Sequence, residues 1–182
     1  MKNNSIKTKT ILFNFLIILS LVSLFQISIF KYLNNLLTSS SENLSGLPVL
    51  TILIIVLLLN LLAITISILI SSLIAYFFGI IFDANATKKT FIYILSAANI
   101  IIYLINIPLS IFNFLNNNPT KIILLNNPLY LFLNPLIYIS IYVLYKLLKQ
   151  YTQLSQRVLI VYCVCFYLLK IAGVAVSQLQ GL

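Results

Sequence analysis

Residues 49–82 read VLTILIIVLLLNLLAITISILISSLIAYFFGIIF, a run without a single charged side chain. A helix needs about 20 apolar residues to cross a hydrocarbon layer roughly 30 Å thick. This stretch exceeds that length, so it is predicted to tilt or to run on into the cytoplasm near Gly79. Pro48, just ahead of it, suits the first turn of a helix. Ala63, Ser67, Ser71, Ala75 and Gly79 recur here at four-residue intervals. Four residues nearly complete a helical turn, so the five form one slowly rotating stripe of small side chains. Membrane helices use such stripes to approach one another closely. The stripe serves either contacts within one subunit or a homodimer face. Gly173, Ser177 and Gly181 repeat it weakly near the C-terminus.

Outward from this stretch, the 182 residues keep the same character: 62% are hydrophobic and 7% charged. A soluble domain usually carries about a quarter charged residues, so a water-soluble globule is excluded. The apolar content equally excludes disorder. Five spans are predicted, near 11–30, 49–78, 91–115, 128–146 and 158–179, in one all-α integral membrane domain. Asn127-Pro128 reads as N-cap plus first-turn Pro for the fourth. The first is read as a retained anchor, because its apolar run exceeds a signal peptide's and no small-x-small cleavage site follows.

The basic residues set the orientation. With the N-terminus inside, Lys2, Lys7, Lys9, Lys88, Lys89, Lys146, Lys149 and Arg157 are cytoplasmic, and only Lys31 and Lys121 lie opposite. That is a strong positive-inside bias, and an odd number of spans puts the C-terminus outside. Net charge of +9 is thus accounted for by span ends meeting anionic lipid head groups, with no nucleic acid as partner. Asn43-Leu44-Ser45 matches a glycosylation sequon, read as a chance match in an Asn-rich chain. The Asn, Ile, Leu and Lys bias suggests an AT-rich bacterial genome, hence a multi-pass protein of the cytoplasmic membrane.

Polar residues inside the spans are few and patterned. Asn99, Asn106 and Asn113 stand seven apart, with Ser96, Tyr103 and Ser110 between them. This spacing puts the amides on one face, toward the bundle. They serve either as a polar path for a substrate or as interhelical glue, with Asn60 of the second span a candidate partner. Pro108 and Pro135 each remove a backbone donor and are expected to kink the third and fourth spans. Lys170 is the one basic side chain well inside a span. It is read as snorkelling to the outer head groups, since neither Asp83 nor Glu42 suits it as a carboxylate partner.

The chemistry that is missing narrows function further. There is no His, and Asp83 and Glu42 are the only acids. Paired carboxylates and His-based metal sites are therefore unavailable. Cys163 and Cys165, two apart on a helix, point to different faces and form neither a relaxed disulfide nor a CxxC motif. Lys170 and Ser177 sit too far apart along a helix, ~10 Å, for a Ser/Lys dyad. No catalytic, metal-binding or cofactor-binding residue is expected, and the protein is read as non-enzymatic.

The run Ile66-Ser67-Ile68-Leu69-Ile70-Ser71-Ser72-Leu73-Ile74-Ala75-Tyr76-Phe77-Phe78-Gly79 leads through Phe82-Asp83-Ala84-Asn85-Ala86-Thr87-Lys88-Lys89-Thr90-Phe91 into the third span. Later, Lys146-Leu147-Leu148-Lys149 closes the fourth span and Arg157 opens the last. With five spans and short connections, this resembles the bacterial branch of the Yip domain family of polytopic membrane proteins, over roughly residues 49–182. The Asp-Leu-Tyr-Gly-Pro motif of the eukaryotic cytoplasmic region is missing, so the resemblance does not extend to small-GTPase binding. It implies a scaffold or a partner- or lipid-binding module in membrane organisation or trafficking, with no functional residue to carry over. The partners so expected are membrane lipids and another membrane protein or a second copy. Two alternatives stand beside it: a small transporter or transporter subunit with its path along the third span, and a bacteriocin-immunity-type membrane protein.

Overall fold

The protein is described by a computed structural model covering residues 6–30, 49–115 and 134–179, with side chains of the last segment described to residue 172. The sequon at Asn43, the N-cap at Asn127-Pro128 and Gly181 lie outside these residues. Six helical segments follow in order: α1 (Thr8–Ser28), α2 (Val49–Ile81), α3 (Lys88–Tyr103), α4 (Asn106–Leu115), α5 (Pro135–Thr152) and α6 (Gln156–Leu179). Thr8–Ser28, Leu50–Ile81 and the α3–α4 stretch Lys88–Leu115 are each long and apolar enough to cross a membrane. The chain is therefore an all-helical membrane protein among its described residues.

Local chemistry explains the helix ends. α2 runs through Gly79 and stops where Asp83 adopts the left-handed conformation, φ 56°. The Asp83 N–H donates to the Ile80 carbonyl at 3.2 Å and the Ala84 N–H to the Gly79 carbonyl at 2.8 Å, the paired bonds of a Schellman stop. Thr87 caps α3, its hydroxyl accepting from the Thr90 N–H at 3.4 Å. The third span is broken at residues 104–105. Pro108 has no N–H to offer the Leu104 carbonyl, which accepts from the Ile107 N–H at 3.1 Å instead. Pro135 behaves otherwise than expected. It does not kink a helix but begins one: Asn134 is the N-cap, its Oδ1 accepting from the Leu136 N–H at 3.0 Å, and Pro135 fills the first turn. There its missing donor costs nothing, since the first-turn N–H has no intrahelical partner.

α1 and α3–α4 run parallel. Lys89 Nζ reaches Thr8 Oγ1 at 3.5 Å, Asn14 donates to Ser96 Oγ at 3.0 Å, Asn106 to the Leu21 carbonyl at 3.3 Å, and Asn113 to Ser28 Oγ at 3.0 Å. On α1 the buried residues Ile11, Asn14, Ile18 and Leu21 follow the three-and-four spacing of a coiled-coil seam, with Val22 and Ser28 also buried. α5 packs antiparallel on α3, where fully buried Ala98 lets Ser140 Oγ donate to its carbonyl at 2.8 Å. One apolar core joins α3, α5 and α6 around Phe91, Ile94, Leu144, Leu148 and Leu159. A second joins α1 and α2 around Ile18, Val22 and Ile68.

Candidate functional site: an interhelical cleft

Tyr162 of α6 reaches across to α2. Its hydroxyl donates to the Ala75 carbonyl at 2.6 Å, and its ring stacks on Phe91 at 6.2 Å. Between α2 and α6 lies a cavity of about 600 Å³. Its floor is formed by Phe91, Leu95 and Asn99 of α3 with Leu144 and Leu148 of α5. Lining residues such as Ile74, Phe78, Val161 and Leu168 are about half exposed, so the cavity opens sideways between the two helices.

Lys170 sits at the polar end. Its Nζ donates to Asn99 Oδ1 at 2.6 Å and lies 5.4 Å from the centre of the Phe166 ring. The expectation of snorkelling is thus corrected: the ammonium turns inward to an amide rather than reaching along the helix. Asn99 can accept this bond because its own Nδ2 donates to the Leu95 carbonyl at 2.8 Å, which fixes the oxygen toward α6. Among the described residues the only carboxylate is Asp83 and no ion pair forms with Lys170. Were α6 to cross a membrane, a lysine at its middle would cost roughly 2.5–3.5 kcal/mol.

The other patterned residues separate into distinct environments. Of the stripe on α2, Ala63 and Ser67 are exposed, Ser71 and Ala75 are half-buried, and Gly79 is buried. Ser67, Ser71 and Ala75 line the cleft. At Gly79 an added Cβ would stand 2.7 Å from Cζ of Phe91, so here the stripe does bring two elements into close contact. Asn60 is exposed, and Tyr103 packs against the α1–α2 core. Asn106 and Asn113 bond to α1, and the Ser110 hydroxyl donates to the Asn106 carbonyl at 2.5 Å. Of the polar set on the third span, Asn99 faces the cleft. Asn14, Ser28 and Tyr162 were not singled out from the sequence. The signal for the first two was present, since Asn14, Leu21 and Ser28 recur at the same seven-residue interval as Asn106 and Asn113.

Comparison of the chain with protein-family models, with curated proteins and with solved structures finds no match.

Proposed function

We propose that this chain is a five-span protein of the bacterial cytoplasmic membrane, N-terminus inside and C-terminus outside, acting without catalysis as a Yip-type scaffold or partner-binding module. The observation that carries this reading is the outward face of α2. In the most apolar stretch of each, 11% of residues are buried in α2, against 28% in α1 and 39% in α3–α4. Ala63 is exposed on that helix and lies outside the cleft lining. Lipid tails alone gain nothing from small residues there, whereas a second membrane helix gains close approach.

The orientation draws support from two contacts. Lys89 touches Thr8, and the Asn85 N–H donates to the Thr152 carbonyl at 3.2 Å. These gather the start of α1, the α2–α3 turn and the α5–α6 turn at one end, close to Lys7, Lys9, Lys88, Lys89, Lys149 and Arg157. α6, with 24 residues, reaches ~36 Å at helical rise, enough for a further crossing, while α5, with 18 residues, reaches ~27 Å, just short of a ~30 Å hydrocarbon layer. The bonding of Asn106 and Asn113 to α1 favours glue over a transport path along the third span.

Replacing Ala63 by Leu tests the proposal. Isolation from native membranes with mass spectrometry of the intact assembly is expected to show loss of the associated copy or partner, while helix content is retained. An assembly unchanged by the substitution would count against the scaffold role.

A further inference from the structure

We propose that the α2–α6 cleft is a binding site for a single-chain anionic amphiphile, a long-chain fatty acid whose carboxylate pairs with Lys170. The inference rests on the membrane-protein reading but not on the partner surface of α2. Four features of the cleft identify the occupant.

The first is an unneutralised cation. An ammonium has three donors. Among the described residues one is taken by Asn99 and no carboxylate pairs with the group. Intramembrane ionisable groups pair with one another or mark ligand sites, and the charge that fits an ammonium in this setting is negative. The second is the shape of the cleft. About 600 Å³ lies inside the range that holds small organic ligands, roughly 300–1,000 Å³. From Lys170 to Val158, also on its wall, the cleft extends ~18 Å at helical rise, long enough for an extended acyl chain.

The third is its polarity. Lys170 and Asn99 stand together at one end, and the walls beyond them carry Phe166, Phe78, Phe91, Leu148 and Val158. That is a head-and-tail arrangement. The one ammonium and one amide suit a small monoanionic head. The fourth is access. Ile74, Phe78, Val161 and Leu168, on the two lips, are each about half exposed, so a tail enters sideways from the bilayer without unfolding any element. The bound carboxylate accepts from Lys170 Nζ while Asn99 Oδ1 keeps the ammonium aimed into the cleft. Asn99 is a positioning residue here, and Lys170 the binding one.

The test uses the full chain purified in a neutral maltoside detergent, with radiolabelled palmitate as probe and hexadecanol as its neutral-headed counterpart. Saturable binding of one palmitate per chain is expected, with hexadecanol weaker by about tenfold or more because it forfeits the charge-assisted bond. Lys170→Met should lower palmitate affinity by a similar factor, and Lys170→Arg, which keeps the charge, should hold it within about threefold. A folded Lys170→Met protein that binds palmitate as tightly as the unaltered chain overturns the proposal, as does an absence of saturable binding. Hexadecanol binding as well as palmitate overturns it too, and this comparison needs no variant if Lys170→Met fails to fold. Efficient displacement of palmitate by phosphatidylglycerol overturns the single-chain assignment. The Ala63 assembly experiment touches no residue of the cleft lining, so failure of that reading and failure of this one are distinguishable.

Discussion

Asp83 is one of the chain's two acids, and its place in the structure is conformational. At φ 56° it occupies the left-handed region, which Asp tolerates better than most residues and which Gly adopts freely. Asp83→Gly is expected to leave stability unchanged or raise it slightly, whereas Asp83→Val should lower it by about 1–2 kcal/mol. Thermal unfolding followed by circular dichroism in detergent distinguishes these outcomes. The buried amides make a second case. Asn113→Leu removes the bond to Ser28 on α1 and is expected to cost about 0.6–1.7 kcal/mol, the measured scale for such interhelical bonds in membranes. Combining it with Ser28→Ala should add little, because both changes break the same bond. The seven-residue spacing of Asn99, Asn106 and Asn113 made a shared face legible. It could not disclose the partner, because that depends on a parallel register with α1 which no short-range pattern encodes.

Among the elements, α2 and α3 approach closely at Gly79. Gly79→Ala gains helix propensity of roughly 0.8–1 kcal/mol but places a methyl 2.7 Å from the buried Phe91 ring. Phe91 is held by Tyr76 at 6.0 Å and Tyr162 at 6.2 Å between ring centres and has little room to move. Overpacking costs of about 1–3 kcal/mol should therefore prevail. The expected result is a lower melting temperature in detergent, largely restored by adding Phe91→Leu; an unchanged melting temperature would mean the ring yields. The two prolines show what sequence can and cannot resolve at this scale. Pro108 sits within a continuous apolar run, and the break four residues before it follows from its missing N–H. Pro135 was harder, because Asn127-Pro128 and Asn134-Pro135 carry the same cap-plus-proline signature seven residues apart, with apolar residues after each. Hydropathy does not choose between them; in the described structure Asn134 makes the capping bond.

At the level of the whole molecule, composition carried most of the reading. Few charges, an unbroken apolar run and basic residues at the ends of spans made a helical membrane bundle legible before any coordinates. The cleft was not legible. Its two walls are linked by the bond from Tyr162 of α6 to Ala75 of α2, and its polar end is made by Lys170 turning across to Asn99, 71 residues away in sequence. Both are relations between helices, and neither leaves a mark on the periodicity of one helix. The surface left by this packing is strongly apolar, with residues such as Leu59, Phe77, Ile81 and Leu169 exposed, as expected where lipid replaces water as the solvent.

The most direct measurement is the sidedness of the two ends. A small epitope placed at each terminus, probed by protease in intact spheroplasts and again after lysis, reports where each one lies. Five crossings with the basic end inside predict an N-terminal epitope protected until lysis and a C-terminal epitope cleaved at once. Both epitopes protected, or both cleaved, in intact spheroplasts would contradict that arrangement.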